Sequence, residues 1–234
     1  IKGNRSIVEP ITLSSNGNDL DKCLNAIITG FKEVESKLSE KPVAISFAFP
    51  GPADYPNGII GDLGNLPAFR GGIALGPMLQ EIFNVPVFIN NDGDLFAYGE
   101  AIAGLLPEVN AMLEKAGNPK RYKNLFGITL GTGFGGGLVY NNQLYLGDNS
   151  AAAEIWLMRN YANNTLFAEE GASIRAVQRV YMQISNDSST LTPKEIYDIA
   201  DGKKHGDRNA ALKAFEQLGI VVGDALANAV TLTD

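Results

Sequence analysis

The chain has 234 residues, of which 45% are hydrophobic and 19% are charged, and its formal net charge is −7. The single cysteine, Cys23, excludes an internal disulfide and the cysteine-rich zinc frameworks. No apolar run approaches the roughly 20 residues of a membrane span, and no signal peptide is visible, so we expect a cytoplasmic protein without a membrane partner. The acidic balance and the short basic stretches argue against nucleic-acid binding by this segment.

Helix and strand patterns alternate in the first half of the chain, whereas the second half begins with a hairpin and continues with helices. Apolar spacing of three and four residues predicts helices at 20–38, 73–83, 95–106, 172–184, 193–200 and 209–230. Apolar runs predict strands in PVAISFAF, PVFIN, LFGITLG, GGLVY and QLYL, with a two-residue turn at Asn141-Asn142. The stretch YPNGIIGDLGNLPAFRGG is too irregular for a regular element.

This order of elements predicts an α/β architecture in two lobes. Residues 107–123 are polar and rich in turn-forming residues at both ends, which indicates a domain boundary there. We therefore expect an N-terminal α/β lobe at 1–106 and a C-terminal lobe at 107–234 that carries the hairpin and the helices.

Five glycines stand within seven residues in GITLGTGFGGGLVY: Gly131, Gly133, Gly135, Gly136 and Gly137. The pattern lacks the Gly-Lys-Ser/Thr of a Walker A loop, and a strand follows it where a Rossmann fingerprint would open a helix. Bare backbone amides beside Thr132 could form a concavity for phosphate oxygens. The alternative is a glycine-rich turn that only reverses the chain.

Asn91 and Asp92 follow the apolar strand PVFIN directly. Ligands of open parallel sheets bind beyond the carboxyl ends of the strands, so this pair is well placed for a site. An aspartate there could accept the proton of a hydroxyl that attacks a phosphoryl group. The alternative is an Asn-Asp turn that caps the next helix.

The segments PGPAD, NLP, NNDGDLFAYGE and LGTGFGGGLVYNNQLYLG together resemble the ROK family of repressors, open reading frames and sugar kinases, which includes bacterial glucokinases. The resemblance implies an actin-like ATPase fold (ribonuclease H-like, hexokinase type) with two lobes and a ligand cleft between them. It also implies binding of ATP, Mg²⁺ and a sugar, and homodimers are possible.

The resemblance assigns a role to each candidate residue. Asp92 corresponds to the general base. The expected sugar-binding residues are Asn65, Asn91, Glu154 and Glu169, and the expected contacts of the ATP phosphates are Gly131, Thr132, Gly133 and Gly135. The alternative for each glutamate is a solvated helix carboxylate.

The chain departs from the family pattern at the zinc motif. Leu157 stands where the family's E-x-G-H motif has histidine, and MRNYANNTLFAEE lacks the family's cysteines. No structural zinc is expected, and His205 is interpreted as a surface-loop residue. Because Leu157 replaces a polar sugar contact, we expect a preference for a sugar with an apolar or N-acetyl substituent over glucose.

The N-terminal D-x-G-G-T phosphate motif is missing, and ALANAVTLTD resembles the helix before the family's final strand. We therefore expect this sequence to be part of a longer protein, and to be unstable or inactive alone because missing strands would expose sheet edges.

The first functional hypothesis is ATP-dependent phosphorylation of a hexose or an N-acetylhexosamine. The second is a sugar-sensing transcriptional regulator, which would contact nucleic acid only through a helix-turn-helix in an N-terminal segment outside this sequence. The third is an inactive sugar-binding protein.

Overall fold

The computed structural model describes residues 5–51, 53–63 and 66–233. The chain divides into two compact units, Ile1–Leu95 and Phe96–Asp234. Within the described ranges, no helix combines the length and the apolar character needed to cross a membrane.

The helices and strands are numbered in chain order. The first unit and the helix that crosses the division contain α1 (Leu20–Ser36), β1 (Ile45–Ala48), β2 (Ala53–Asp54), β3 (Ile59–Ile60), α2 (Leu75–Phe83), β4 (Val87–Asn90) and α3 (Asp92–Ile102). The second unit continues with α4 (Leu105–Lys115), β5 (Leu125–Leu130), β6 (Phe134–Tyr140), β7 (Gln143–Tyr145), β8 (Arg159–Asn160), β9 (Asn163–Phe167), α5 (Ile174–Ser185), α6 (Pro193–Ala200) and α7 (Arg208–Thr233). Short 3₁₀ helices lie at Pro67–Phe69, Ile155–Leu157 and Ala168–Glu170.

The first unit is built around two parallel strands, β1 and β4, which pair from Ile45↔Val87 to Ala48↔Asn90. The strand predicted in PVFIN is thus confirmed. α1 begins at a capping aspartate, Asp19, whose side chain accepts a hydrogen bond from the Lys22 amide at 3.1 Å. Its apolar side packs on a core whose most buried members are Ile60, Leu63, Phe69, Leu75 and Leu79. This packing fixes the carboxyl ends of both strands.

The second unit begins with an antiparallel sheet in the order β5-β6-β7. β6 and β7 are joined at Asn141 and Asn142, whose φ angles of 51° and 62° lie in the left-handed region that such two-residue turns require. The turn predicted at this dipeptide is confirmed.

The helices α5, α6 and α7 share a core that includes Val177, Tyr181, Ile196 and Ile199. α7 contributes small residues to it, among them Ala210, Ala211 and Ala214, each at most 1% exposed. Without long side chains at these positions, the helix axes can approach closely. Further along α7, Val221 and Ala225 pack beneath the 3₁₀ helices and β6.

The sequence did not reveal α4, which occupies the first part of the predicted turn-rich stretch at 107–123. Pro107 lies in its first turn, where an amide has no partner within the helix, so the proline does not break the helix. Leu106 anchors the helix in the core, and Gly117 follows its end with φ of 69°.

The capping box of α6 generates a test of pH dependence. The Thr192 amide donates to Glu195 at 2.8 Å, and Lys204 also binds the Glu195 carboxylate. The Lys204 ammonium and then the Thr192 backbone amide lower the pKa of Glu195 from 4.5 to about 2. A lowered folded-state pKa stabilises the fold above the unfolded pKa, and this contribution is lost as the pH falls through about 2. We expect Glu195→Gln to lower the thermal midpoint at pH 7, by an amount that shrinks as the pH falls from 4.5 toward 2.

Glu216→Gln is the matched control, because it removes an exposed ion pair with Lys213 at 2.6 Å but no cap. Its effect on the thermal midpoint should be smaller than that of Glu195→Gln. Equal midpoints for wild type and Glu195→Gln at pH 7 would contradict the assigned role.

Candidate active site

Asn91 lies between the end of β4 and the start of α3. Its Oδ1 accepts hydrogen bonds from the amides of Gly93 at 2.8 Å and Asp94 at 3.4 Å, so the side chain caps α3. The helix-capping alternative therefore describes what Asn91 does in the structure. Its amide nitrogen points elsewhere and donates to the Tyr55 hydroxyl at 3.4 Å. Contact of Asn91 with a sugar stays a prediction.

Asp92 is the first residue of α3, and its side chain is exposed. Its Oδ1 accepts a hydrogen bond from the Gly93 amide at 3.0 Å. Among the residues that the structure describes, nothing forms a hydrogen bond or an ion pair with Oδ2. Asp92 thus presents, beyond the carboxyl end of β4, an acceptor oxygen that no described residue contacts.

Tyr55 is a structural member of this region that the sequence did not reveal. Its hydroxyl donates to the Phe49 carbonyl at 3.0 Å and receives the Asn91 amide, so it connects the segment after β1 to the end of β4. Gly51 makes room for it, since a Cβ there would lie 2.7 Å from the hydroxyl. The only local signal was an aromatic residue directly after PGPAD. Asn65, the other predicted sugar contact of this unit, lies outside the described residues.

In the second unit, Gly131, Thr132 and Gly133 form the connection between β5 and β6. Leu130 pairs with Phe134 across it, and the Gly131 amide donates to the Gly133 carbonyl at 3.0 Å. Thr132, at the tip, is exposed. Gly135 lies within β6, opposite Thr129. We call residues 130–134 the hairpin loop; its contact with phosphate stays a prediction.

Close approach, and not a special backbone angle, explains three of the five clustered glycines: Gly133, Gly135 and Gly136. All five have φ outside the left-handed region. A Cβ on Gly133 would lie 2.4 Å from the Glu169 carboxylate, one on Gly135 2.5 Å from the Thr129 hydroxyl, and one on Gly136 2.7 Å from the Ala153 carbonyl. Around Gly131, in contrast, no described atom beyond its chain neighbours lies within 4 Å of a Cβ. Gly131 is therefore the position with open space.

The two predicted glutamates lie on either side of the β8–β9 hairpin. Glu154 precedes the 3₁₀ helix Ile155–Leu157, and its carboxylate accepts a hydrogen bond from the Trp156 indole. Glu169 accepts from the Phe134 amide at 3.1 Å and from Arg175 at 3.3 Å. The Trp156 and Phe167 rings, next to these two positions in the chain, meet edge-on with their centroids 5.9 Å apart. Both carboxylates keep unused acceptor capacity.

The stretch that matches the family's zinc cluster forms β8 and β9. Asn160, 4% exposed, closes their turn by accepting from the amides of Ala162 and Asn163 at 2.9 and 3.2 Å. Leu157, just before β8, is 45% exposed, and His205 lies in an exposed loop. Within the described part of the chain, no group of three or more His, Cys, Asp or Glu side chains is arranged to hold a metal ion.

The packing around the hairpin loop predicts that two alanine substitutions differ in their effect on stability. Gly133→Ala displaces the Glu169 carboxylate from the Phe134 amide, and we expect a loss of about 0.5–1.5 kcal/mol of stability from that hydrogen bond. Gly131→Ala meets open space, and we expect a change within about 0.5 kcal/mol. Denaturant unfolding of both variants measures this difference. A Gly131→Ala variant that loses more stability than Gly133→Ala would contradict the described packing.

Comparison with known proteins places this geometry in context. The solved structure of a glucokinase from Parabacteroides distasonis superposes with a TM-score of 0.90 at 57% identity, over 100% of this chain and 66% of that one. An N-acetyl-D-glucosamine kinase from Vibrio cholerae is 34% identical over 49% of this chain and 33% of its own length. A xylose repressor from Bacillus spizizenii is 28% identical over 67% of this chain and 37% of its own.

The matched region thus spans about a third to two fifths of these curated relatives and two thirds of the solved glucokinase. The superposition confirms the predicted actin-like α/β fold. The sequence profile of the ROK family matches residues 2–234, which is nearly the whole chain. The chain belongs to the ROK family.

Proposed function

We propose that the protein containing this chain transfers the γ-phosphoryl group of ATP to a hydroxyl of a hexose or an N-acetylhexosamine, with Asp92 as the general base. The observation that carries the proposal is Oδ2 of Asp92 at the start of α3, which no residue of the described ranges contacts. Two relatives support the reaction type, since one is named a glucokinase and the other an N-acetyl-D-glucosamine kinase.

In this reaction the sugar oxygen forms a bond to the γ-phosphorus, and the bond from that phosphorus to the β–γ bridging oxygen breaks. ADP leaves, and the proton of the hydroxyl passes to the Asp92 carboxylate. A carboxylate base must be ionised and within reach of the hydroxyl. Asp92 is exposed and is the first residue of α3, so a substrate hydroxyl can reach its carboxylate.

Asn91, whose side chain is held in place by Tyr55, would orient the sugar beside this base. The cap bonds fix Oδ1 of Asn91, and the Tyr55 hydroxyl fixes its amide nitrogen, so the side chain has one preferred orientation. An oriented amide can bind a sugar hydroxyl with little loss of rotamer freedom on binding. This arrangement supports Asn91 as a sugar contact.

The hairpin loop is the proposed contact of the ATP phosphates. The open space around Gly131 and the exposed Thr132 fit an anionic group of the size of a phosphate. Mg²⁺ usually binds through phosphate oxygens, one or two carboxylates and water, and it would neutralise the charge of the nucleotide. The loop and Thr132 are compatible with nucleotide phosphates that carry such an ion.

A second candidate function is sugar sensing by a transcriptional regulator. The observation that favours it is the similarity to a xylose repressor over 67% of this chain, a larger share than the match to the N-acetyl-D-glucosamine kinase. A regulator would use the same sugar contacts but would not need a free carboxylate at Asp92.

The test of the kinase proposal is Asp92→Asn in the full-length protein, measured by a coupled assay of ATP consumption with hexoses and N-acetylhexosamines. We expect a fall in kcat of at least about 100-fold because the base is lost, while calorimetry still detects sugar binding. Asp21→Asn is the matched control, since Asp21 is an exposed acid in the first turn of α1. It should leave kcat unchanged.

Sugar binding without turnover in the wild-type protein would favour the sensor or an inactive sugar-binding protein. Full activity of Asp92→Asn would contradict the assignment of the base.

The exposed Leu157 generates a second test, of substrate preference. It follows Glu154 within one 3₁₀ turn, with a hydrogen bond from the Leu157 amide to the Glu154 carbonyl at 3.1 Å. The family resemblance implies a sugar contact at the position of Leu157, and an apolar side chain at such a contact would favour an N-acetyl methyl over a hydroxyl. We expect kcat/KM to be higher for N-acetylglucosamine than for glucose.

Leu157→His should reduce that preference, whereas Leu157→Met, which keeps the apolar character, should retain it. A clear preference of the wild-type protein for glucose would contradict the prediction.

A further inference from the structure

Glu169 connects the hairpin loop to α5 through both of its carboxylate oxygens. Oε2 accepts a hydrogen bond from the Phe134 amide at 3.1 Å, and Oε1 faces the Arg175 guanidinium at 3.3 Å. The Glu169 side chain is only 28% exposed, so water screens the Phe134 bond less than it would a fully exposed contact. The carboxylate is thereby held at a fixed place beside the loop.

A second bond attaches the same loop to the same helix. The amide of Ile174, the first residue of α5, donates to the Gly131 carbonyl at 2.9 Å. Ser173 caps the helix just before it. Both ends of the Gly131-Thr132-Gly133 segment are therefore bound, one by the helix backbone and the other by Glu169.

The missing side chain of Gly133 is part of this contact. Because a Cβ on Gly133 would lie 2.4 Å from Oε2 of Glu169, only glycine lets the carboxylate reach the Phe134 amide. Glycine in a hairpin also leaves the backbone free to adopt other conformations. An external group that fixes the loop therefore lowers the entropy lost when a ligand binds there.

We propose that Glu169 and Arg175 are positioning residues that hold the hairpin loop in the conformation that receives the nucleotide phosphates. Arg175 orients the Glu169 carboxylate, and Glu169 fixes the Phe134 amide. This inference rests on the proposed kinase function, and it gives Glu169 a role on the nucleotide side in addition to any contact with sugar.

The neighbouring ion pair supplies a matched control. Glu170 and Arg179 come from the same 3₁₀ helix and the same face of α5, with 3.7 Å between their charged groups. Arg179 also donates to the Glu170 carbonyl. Among the described residues, neither side chain forms a hydrogen bond with the hairpin loop. Arg179→Ala therefore removes a comparable ion pair without touching the loop.

The experiment uses the full-length protein and measures the Kd of a non-hydrolysable ATP analogue and of the preferred sugar by calorimetry. Loss of a partly exposed charge pair that orders a loop should raise the nucleotide Kd about three- to tenfold in Arg175→Ala. The sugar Kd should stay within about twofold of wild type, and Arg175→Lys should restore part of the nucleotide affinity. Arg179→Ala should change neither constant.

Hydrogen exchange provides a readout without ligand. In Arg175→Ala, the amide of Phe134 should exchange faster than in wild type, because its acceptor is no longer held in place. Arg179→Ala should leave that exchange rate unchanged. Glu169→Gln should also weaken nucleotide binding, because a neutral amide cannot form the ion pair with the Arg175 guanidinium.

Equal nucleotide affinity and equal exchange in wild type and Arg175→Ala would overturn the inference. So would a Glu169→Gln variant that loses sugar affinity alone, because Glu169 would then serve only the sugar. If the wild-type protein binds the analogue but phosphorylates no sugar, the proposed function fails, and the inference is judged on binding and exchange. If it binds no nucleotide, both fail.

Discussion

The second unit depends on glycines whose backbone lies so close to neighbouring atoms that a side chain would not fit. The chain from Gly133 to Gly136 passes within contact distance of Glu169, Thr129 and the Ala153 carbonyl, and each contact occupies the space that a Cβ would need. Glycine costs entropy in a strand, so such a run is retained only where the contacts require it. The tip is the tripeptide Gly131-Thr132-Gly133, which has a hydrogen bond of its own from the Gly131 amide to the Gly133 carbonyl. The amide of Ile174 and the carboxylate of Glu169 hold its two ends from outside.

In the first unit, the side chain of Asn91 combines the role of a helix cap with the proposed role of a sugar contact. Asn91 follows β4, where the chain must satisfy the free amides at the start of α3, and its Oδ1 accepts hydrogen bonds from two of them. An asparagine has a second polar group, and Tyr55 sets the direction of that amide. The cap and the proposed sugar contact are therefore not alternatives. One side chain can serve both because its donor and its acceptor point to different partners.

The sequence predicted those features that depend on neighbours along the chain. The apolar run of PVFIN became β4, the Asn-Asn turn joined β6 to β7, and the helix predicted at 193–200 became α6. α4 was missed because Pro107 resembles a helix breaker unless its place in the first turn is known. The contact between Tyr55 and Asn91 spans 36 residues, and that between Phe134 and Glu169 spans 35. Such pairs arise only from the folded chain, and no local pattern reports them.

The family pattern and the structure therefore answer different questions about Glu169. A motif identifies a carboxylate by its position after β9, and it cannot tell which partners that carboxylate has. The structure assigns one oxygen to a backbone amide and the other to Arg175. Since each carboxylate oxygen can accept more than one hydrogen bond, neither contact excludes a ligand hydroxyl. Loss of activity in a Glu169 variant would thus mix two causes, loop order and ligand contact. Arg175 contacts the carboxylate without being a predicted sugar contact, so its substitution separates them.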